Sequence, residues 1–375
     1  MAVTRQASAV PLLALACLPA DAAILPEDRA DALYHSYDGG GVEVTGPSIL
    51  VRKGDNKNFS VSANYYVDSI SSASIDVVTQ GSPYSEQRTQ KSLGVDYLHG
   101  DTIMSIGYTN SDESDYKADT ASFSISQSMF GDLTTVTLGY SRGWDDVMQN
   151  GNPTFDETVD RQQYRISLSQ ILTRSLVMAI NYENVTEEGF LSNPYRSDRY
   201  LDGAAFVFEP ENYPRTRTSN AVALDMKYFL PYRAALGLGY RYYSDDWDID
   251  SHTAQIDYTH PLGERWIFEL VGRYYTQSAA EFYSDLFPRQ DAQNFRARDK
   301  ELSRFTDFSF GVGVSYSLLE HAWSHIDRAE LSLKYRRFWF DYDNFSDLTT
   351  SAPVGQEPAY EFTADVIQLY ISAWY

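Results

Sequence analysis

The sequence predicts an all-β protein, a transmembrane antiparallel outer-membrane β-barrel of about fourteen strands, within a range of 12–16. Three observations predict it. Segments of roughly ten residues alternate apolar and polar side chains with a period of two, the pattern of a strand and not of a helix. The connections between these segments run long, short, long, short. The chain closes on DVIQLYISAWY, in which Ile367, Leu369, Ile371, Ala373 and Tyr375 share one face. A strand that ends on an apolar face needs an apolar cover, and hydrocarbon is the expected one.

In chain order, MAVTRQASAVPLLALACLPADAA sets Arg5 before an apolar stretch and small residues at Ala20 and Ala22. This is the layout of a secretory signal peptide over residues 1–22, cleaved near Ala22 or Ala23. Cys17 lies inside it and is the sole cysteine, so the mature chain is expected to lack disulfides, thiol catalysis and cysteine-bound metal. Residues 23–57 read as a periplasmic or lumenal N-terminal segment, with VEVTGPSILVRK as a hairpin whose arms are too short to span. Gly39, Gly40 and Gly41 are not followed by the Lys-Ser/Thr and helix of a phosphate loop.

The barrel is expected over 58–375, with strands at 59–68, 89–99, 102–110, 119–130, 133–142, 161–172, 174–184, 217–229, 231–243, 251–261, 264–276, 304–318, 329–340 and 363–375. In TDFSFGVGVSYSLL, Phe308, Phe310, Val312 and Val314 oppose Ser309, Gly311, Gly313 and Ser315; in RSLVMAINYEN, Leu176, Met178, Ile180 and Tyr182 oppose Val177, Ala179, Asn181 and Glu183. The long connections (69–88, 111–118, 143–160, 185–216, 244–250, 277–303, 341–362) all fall on one side. HGD, Gly131 with Asp132, LTRS, Leu230 with Pro231, LGE and 319–328 fall on the other. Such segregation is expected of short periplasmic turns and long extracellular loops. An even strand count returns both chain ends to one side.

Composition agrees. No apolar run of the mature chain reaches the ~20 residues a membrane helix needs, and 29 Tyr with 19 Phe favour half-buried strands. A net charge of -22 opposes nucleic-acid binding. Tyr65, Tyr97, Tyr108, Tyr140, Tyr182, Tyr228, Tyr242, Trp266, Tyr274 and Trp339 stand towards strand ends, as interfacial girdles require. Arg337 is the misfit: alternation from Leu333 and Tyr335 aims it at lipid, which marks a bulge or the edge of the bilayer.

The opening DALYHSYDGGGVEVTGPSILVRKGDNKNFSVSANYYVDSISSASIDVV resembles the signature of the proteobacterial domain-of-unknown-function 3570 family. The similarity continues through GVDYLHGDTIMSIGYTNSDESDY, FGDLTTVTLGYSRGWD, QYRISLSQILTRSL, NPYRSDRYLD, YPRTRTSNAVAL, YFLPYRAA and FYSDLFPRQDAQNFRARDKELS, over nearly the whole mature chain. The resemblance implies an envelope protein of a Gram-negative bacterium. Through the family's genomic neighbours it also implies a link to flavin-attaching and thioredoxin-like envelope systems.

Within the expected strands, Arg165, Glu183, Asp225, Lys227, Arg233, Arg241, Glu269, Arg273, Lys334 and Arg336 take inward positions. They would either set the selectivity of a polar lumen or pair across strands and rigidify it; Gly237, Gly239, Gly311 and Gly313 beside them permit close approach. Asp246, Asp248 and Asp250 are candidate metal ligands, although Ser251 replaces the glycine of a calcium loop and Asp257 its final Glu. Asp112, Glu113 and Asp115 form a second acidic loop. His321 and His325 share a helical spacing, and His252 with Asp257, or His260 with a loop serine, could form a hydrolase centre, but no nucleophile is singled out. No cofactor motif appears. Tyr375 would serve the barrel-assembly machinery as the terminal signal. Three readings remain open: a porin-like channel or solute-binding barrel, an envelope scaffold with a periplasmic protein partner, and a membrane-embedded hydrolase.

Overall fold

The computed structural model describes residues 23–55, 57–72, 74–75, 79, 84–323 and 325–375; the segment 1–22 read as a signal peptide, with Cys17, lies outside them. One closed antiparallel sheet forms the wall. Its strands are β1 (Arg29–Gly39), β2 (Val42–Gly54), β3 (Phe59–Ser72), β4 (Tyr84–His99), β5 (Thr102–Asp112), β6 (Tyr116–Met129), β7 (Thr134–Met148), β8 (Asp156–Thr173), β9 (Leu176–Gly189), β12 (Thr216–Phe229), β13 (Ala235–Asp245), β14 (Asp250–Leu262), β15 (Trp266–Gln277), β16 (Phe305–Trp323), β17 (Ile326–Ser346) and β18 (Ala359–Trp374). A separate hairpin, β10 (Ser197–Asp202) with β11 (Ala205–Pro210), rises from the connection between β9 and β12. Each wall strand pairs with its neighbours, and β1 closes the ring on β18, from Arg29 opposite Trp374 to Gly39 opposite Ala364.

The barrel therefore has sixteen strands where alternation locates about fourteen. The added hairpin is the N-terminal segment itself: residues 29–54 are wall, not a periplasmic or lumenal lead-in. Arms of 11 and 13 residues suffice for a tilted spanning strand. Gly40 and Gly41 make the turn between them at φ 58° and 77°, the left-handed pair that a two-residue hairpin of this twist requires. Gly46 is fixed by packing, since a Cβ there would lie 1.7 Å from the Val67 carbonyl oxygen.

The connections 55–58, 100–101, 130–133, 174–175, 230–234, 263–265 and 324–325 stand at the end of the barrel where β1 begins and β18 finishes. The expected connection 319–328 contracts, because β16 runs on to Trp323 and β17 starts at Ile326, beyond the alternating segments. The long connections 190–215, 278–304 and 347–358 gather at the opposite end.

The outer surface carries the apolar face. Leu93, Ile106, Phe123, Leu138, Ile166, Ile180, Val222, Leu238, Ile256, Leu270, Val312, Leu333, Ile367, Leu369 and Ile371 are all exposed there. Tyr65, Tyr108, Tyr140, Tyr182, Tyr228, Tyr242, Trp266, Tyr274 and Trp339 are exposed on the same side. On β15, Trp266 and Tyr274 bracket the belt, about 26 Å apart along the strand and roughly 20 Å apart along the axis at the usual tilt. Arg337 also faces outward, 3.6 Å from Asp365 and over the Trp339 ring. The pairing on both sides of Arg337 is unbroken, so it marks no bulge; register shifts in β17 occur only towards its two ends.

Deleting residues 23–57 should leave β18 and β3 without partners. The truncated chain is expected not to yield the compact, heat-modifiable band on cold SDS gels that the full mature chain gives after refolding in detergent. A wild-type-like band from the truncation would return this segment to the status of an appendage.

Candidate functional site

The alternation that turns apolar residues outward turns the polar set into the lumen, and the two halves of that lumen differ. On β4 to β9 many inward positions are small: Gly94, Ser105, Gly107, Ser122, Ser124, Thr137, Gly139, Ser141, Ser167 and Asn181. On β12 to β18 they are often long, charged or aromatic, including Asp225, Lys227, Arg241, Asp257, Glu269, Arg273, Lys334, Arg336, Phe338 and Phe340. Bulky side chains on one wall leave free space against the other. A cavity of about 570 Å³ lies along β4 to β9, where Asp96, Gln163, Arg165 and Glu183 join the small residues.

Nine of the ten sequence-predicted lumen residues, all but Arg233, hold inward positions. Several are engaged in cross-strand pairs: Glu183 takes Arg165 at 3.1 Å and Arg241 at 3.5 Å, Glu269 takes Lys334 at 2.7 Å, and Asp307 takes Arg273 at 2.6 Å. Glycine permits these side chains to lie flat. A Cβ on Gly237 would overlap the Asp257 carboxylate, and one on Gly313 would stand 3.0 Å from Glu269 Oε2. Arg165, although paired along one edge, keeps 63% of its side chain exposed to the lumen.

Arg233 is a correction. β13 begins at Ala235, and Arg233 occupies the preceding turn at φ 69°, donating to the Gly263 carbonyl at 3.4 Å. Leu230 and Pro231 are only part of a longer turn than alternation suggests, so the inward register does not reach Arg233.

Asp246, Asp248 and Asp250 do not converge. Asp246 accepts from the Thr218 N–H at 2.9 Å, Asp248 sits in a turn at φ 63°, and Asp250 accepts from the Tyr242 hydroxyl at 2.6 Å. Among the described residues, the carboxylates that do gather are Glu86, Glu113 and Asp115, with ligand atoms within 4.8 Å of one another. Two of these belong to the second acidic loop. His252 and His260 face outward beside Tyr240 and Tyr258, at 2.7 Å and 2.9 Å from their hydroxyls, and His325 lies in the turn before β17; the side chain of His321 lies outside the described residues.

One inward cluster has no counterpart in the sequence reading. Buried His35 of β1 binds Asp68 of β3 at 2.7 Å, and Arg88 of β4 binds the other Asp68 oxygen at 2.5 Å. The His35 ring stacks on Tyr66 at 5.1 Å. These residues are distant in sequence and meet only through strand register, so no local pattern announces them. The arrangement surrounds the Asp68 carboxylate and staples β1, β3 and β4 together.

At the loop end, four connections interlock into a cap. Trp247, Ile249, Leu191, Tyr213, Ala280, Phe282, Ala297 and Leu302 form its apolar core with Val147 and Val159 of the wall. Arg199 is fully buried and binds Asp285 and Glu357, each at 2.6 Å, which ties the 190–215, 278–304 and 347–358 connections to one another. Arg298 also binds Asp285, at 3.0 Å, and lies over the Phe345 ring. Burial opposes ionisation of Asp285, but Arg298 and Arg199 outweigh it and hold its carboxyl below the usual carboxylate range.

A second group surrounds Arg296. Its guanidinium meets Asp198 at 3.3 Å, Glu209 at 3.1 Å and Asp291 at 3.1 Å. Burial, reinforced by Glu209, pushes the Asp198 carboxyl up to about 7.

The family model described as a protein of unknown function, DUF3570, matches residues 75–164 and 154–334. The chain belongs to the DUF3570 family. No curated protein sequence matches it. Among solved structures, a bacterial polysaccharide outer membrane secretin has a TM-score of 0.50 at 8% identity, over 94% of this chain and 100% of that one. OmpT of Vibrio cholerae, folded in vitro, scores 0.45 at 10% identity, over 92% and 96% of the two chains. The siderophore receptor PirA from Acinetobacter baumannii scores 0.43 at 7% identity, over 93% of this DUF3570 chain and 60% of the receptor. The fold is that of outer-membrane barrels.

Arg199→Met should leave Asp285 and Glu357 buried with less counter-charge. The cap is expected to lose about 3–5 kcal/mol, read as new protease cuts within 190–215 or 278–304 while the wall stays intact in detergent.

Proposed function

We propose that this DUF3570 protein is a passive, non-enzymatic outer-membrane channel for small hydrophilic solutes, whose path follows the β4–β9 wall. The observation that carries the proposal is the lane of glycines and hydroxyls bordering the 570 Å³ cavity. Sixteen strands are enough for an aqueous lumen. Small residues keep that space open on one side, and the hydroxyls offer hydrogen bonds to a solute shedding water. Arg165, bound on one edge by Glu183 and otherwise exposed, is the fixed positive charge beside the path.

In this reading the apolar belt meets hydrocarbon, the tight turns face the periplasm, and the cap faces outside. Arg337 with Asp365 then stands at the outer interface, where a charged pair stays hydrated. A second reading, a scaffold for a periplasmic protein, draws on Phe130, Tyr232 and Leu262, which are 78%, 57% and 55% exposed at or beside three of the tight turns.

Planar-bilayer recording tests the first reading. Wild-type protein is expected to give stable open-channel steps. Ser124→Trp together with Ser167→Trp should cut single-channel current several-fold, and Arg165→Glu should shift the reversal potential towards cation preference. A barrel that is folded and inserted but carries no current would favour the scaffold.

A further inference from the structure

We infer that the loop cap is latched by a single proton held on Asp198, opposite Glu209. The two residues stand directly opposite each other in the β10–β11 ladder. Asp198 is fully buried and Glu209 is 7% exposed. Like charges placed opposite each other on a hairpin repel, and burial amplifies the repulsion because little water screens it. The cation facing both is Arg296, whose Nε lies 3.3 Å from Asp198 and 3.1 Å from Glu209. Asp291, 74% exposed, takes the Nη1 side of the same guanidinium at 3.1 Å. Glu209, Arg296 and Asp291 are the charged groups that act most strongly on Asp198.

Three carboxylates thus share one guanidinium, and Asp198 Oδ1 has no hydrogen-bond partner among the described residues. One added proton answers both problems. It removes a negative charge from the hairpin, and it turns two repelling carboxylates into one neutral and one charged group, as happens where like charges cannot both ionise.

The consequence reaches beyond the hairpin. Adjacent Arg199 anchors β10 to Asp285 and Glu357, and Arg296 exchanges two backbone hydrogen bonds with Asn212, at 2.7 Å and 3.0 Å. Losing the proton therefore loosens the element that ties the 190–215 connection to 278–304.

The direction follows from linkage. Asp198 has a higher proton affinity in the closed cap than when exposed to water, so closing takes up a proton. The cap is tightest in acid, and its added stability fades as pH rises through about 7. Between pH 6 and pH 8.5 the fraction of opened hairpin should rise about tenfold. On the channel reading, the mouth is then more open in alkali; the latch itself does not depend on that reading.

Hydrogen exchange followed by mass spectrometry on the full mature chain in detergent tests the latch without needing any current. Protection of residues 197–210, corrected for the intrinsic pH dependence of exchange, is expected to fall about tenfold from pH 6 to pH 8.5. Wall strands should not change. Asp198→Asn, which resembles the protonated state, should make protection equal at the two pH values, and Glu209→Gln should shrink the change in the same sense if the first variant does not fold. Equal wild-type protection at both pH values, or a full tenfold fall retained in the variant that folds, would overturn the latch. Comparing channel current at the same two pH values separates the cases: a change in protection without any current keeps the latch and removes the channel.

Discussion

A spanning sheet in hydrocarbon has no tolerance for a bare strand edge, because each unpaired N–H or carbonyl costs several kcal/mol where no water can replace the partner. Closure of β1 on β18 removes the last two edges, and much else in the molecule follows from it. Once the ring is closed, side chains have two destinations, and the period of two sorts them: aliphatic and aromatic groups mostly outside, hydroxyls, glycines and charges mostly inside. The interior cannot neutralise its charges with lipid, and many of them pair across strands instead. Gly237 and Gly313 let carboxylates recline against the wall rather than cross the lumen.

The two ends of the barrel solve different problems. At the end with the tight turns, connections need only reverse the chain. At the other, the long connections carry enough apolar residues to build a core of their own around Trp247 and Phe282. Buried arginines cross-link them. Arg199 and Arg298 are matched by Asp285 and Glu357, whereas Arg296 is outnumbered by carboxylates. On the latch proposed above, that imbalance makes the β10–β11 part of the cap sensitive to protons.

Much of the wall is legible in the sequence because an apolar outside and a polar inside impose alternation, and that legibility ends where the apolar belt ends. The hydrogen-bonded ladder continues past the belt without the same constraint, so β16 and β17 extend past the patterned stretch and the expected 319–328 connection contracts to a turn. β1 escapes alternation for a related reason. Its outward residues include Ala30, Ala32 and Ser36, and its partner β2 is interrupted by Gly46 and Pro47, so the apolar signal is faint. Inward placement can be read for Arg165 and Lys334, where parity is secure, and fails at Arg233, where a turn resets it. The His35–Asp68–Arg88 group and the arginine cross-links of the cap are illegible, since each joins segments that only the finished topology brings together.

Tyr375 gives the seam a particular character. Its hydroxyl donates to the Arg52 carbonyl at 3.0 Å, its N–H reaches the Asp28 carbonyl at 3.3 Å, and Lys53 lies 4.9 Å above its ring. Asp28 and Tyr375, which flank the first and last wall strands, thus meet, and among the contacts of the described wall theirs closes the longest stretch of chain. Loop closure of that length is entropically the least favoured step and the natural last one. A nascent barrel should therefore spend its life as a curled ribbon with two sticky margins, vulnerable to pairing with other chains until β1 and β18 have found each other.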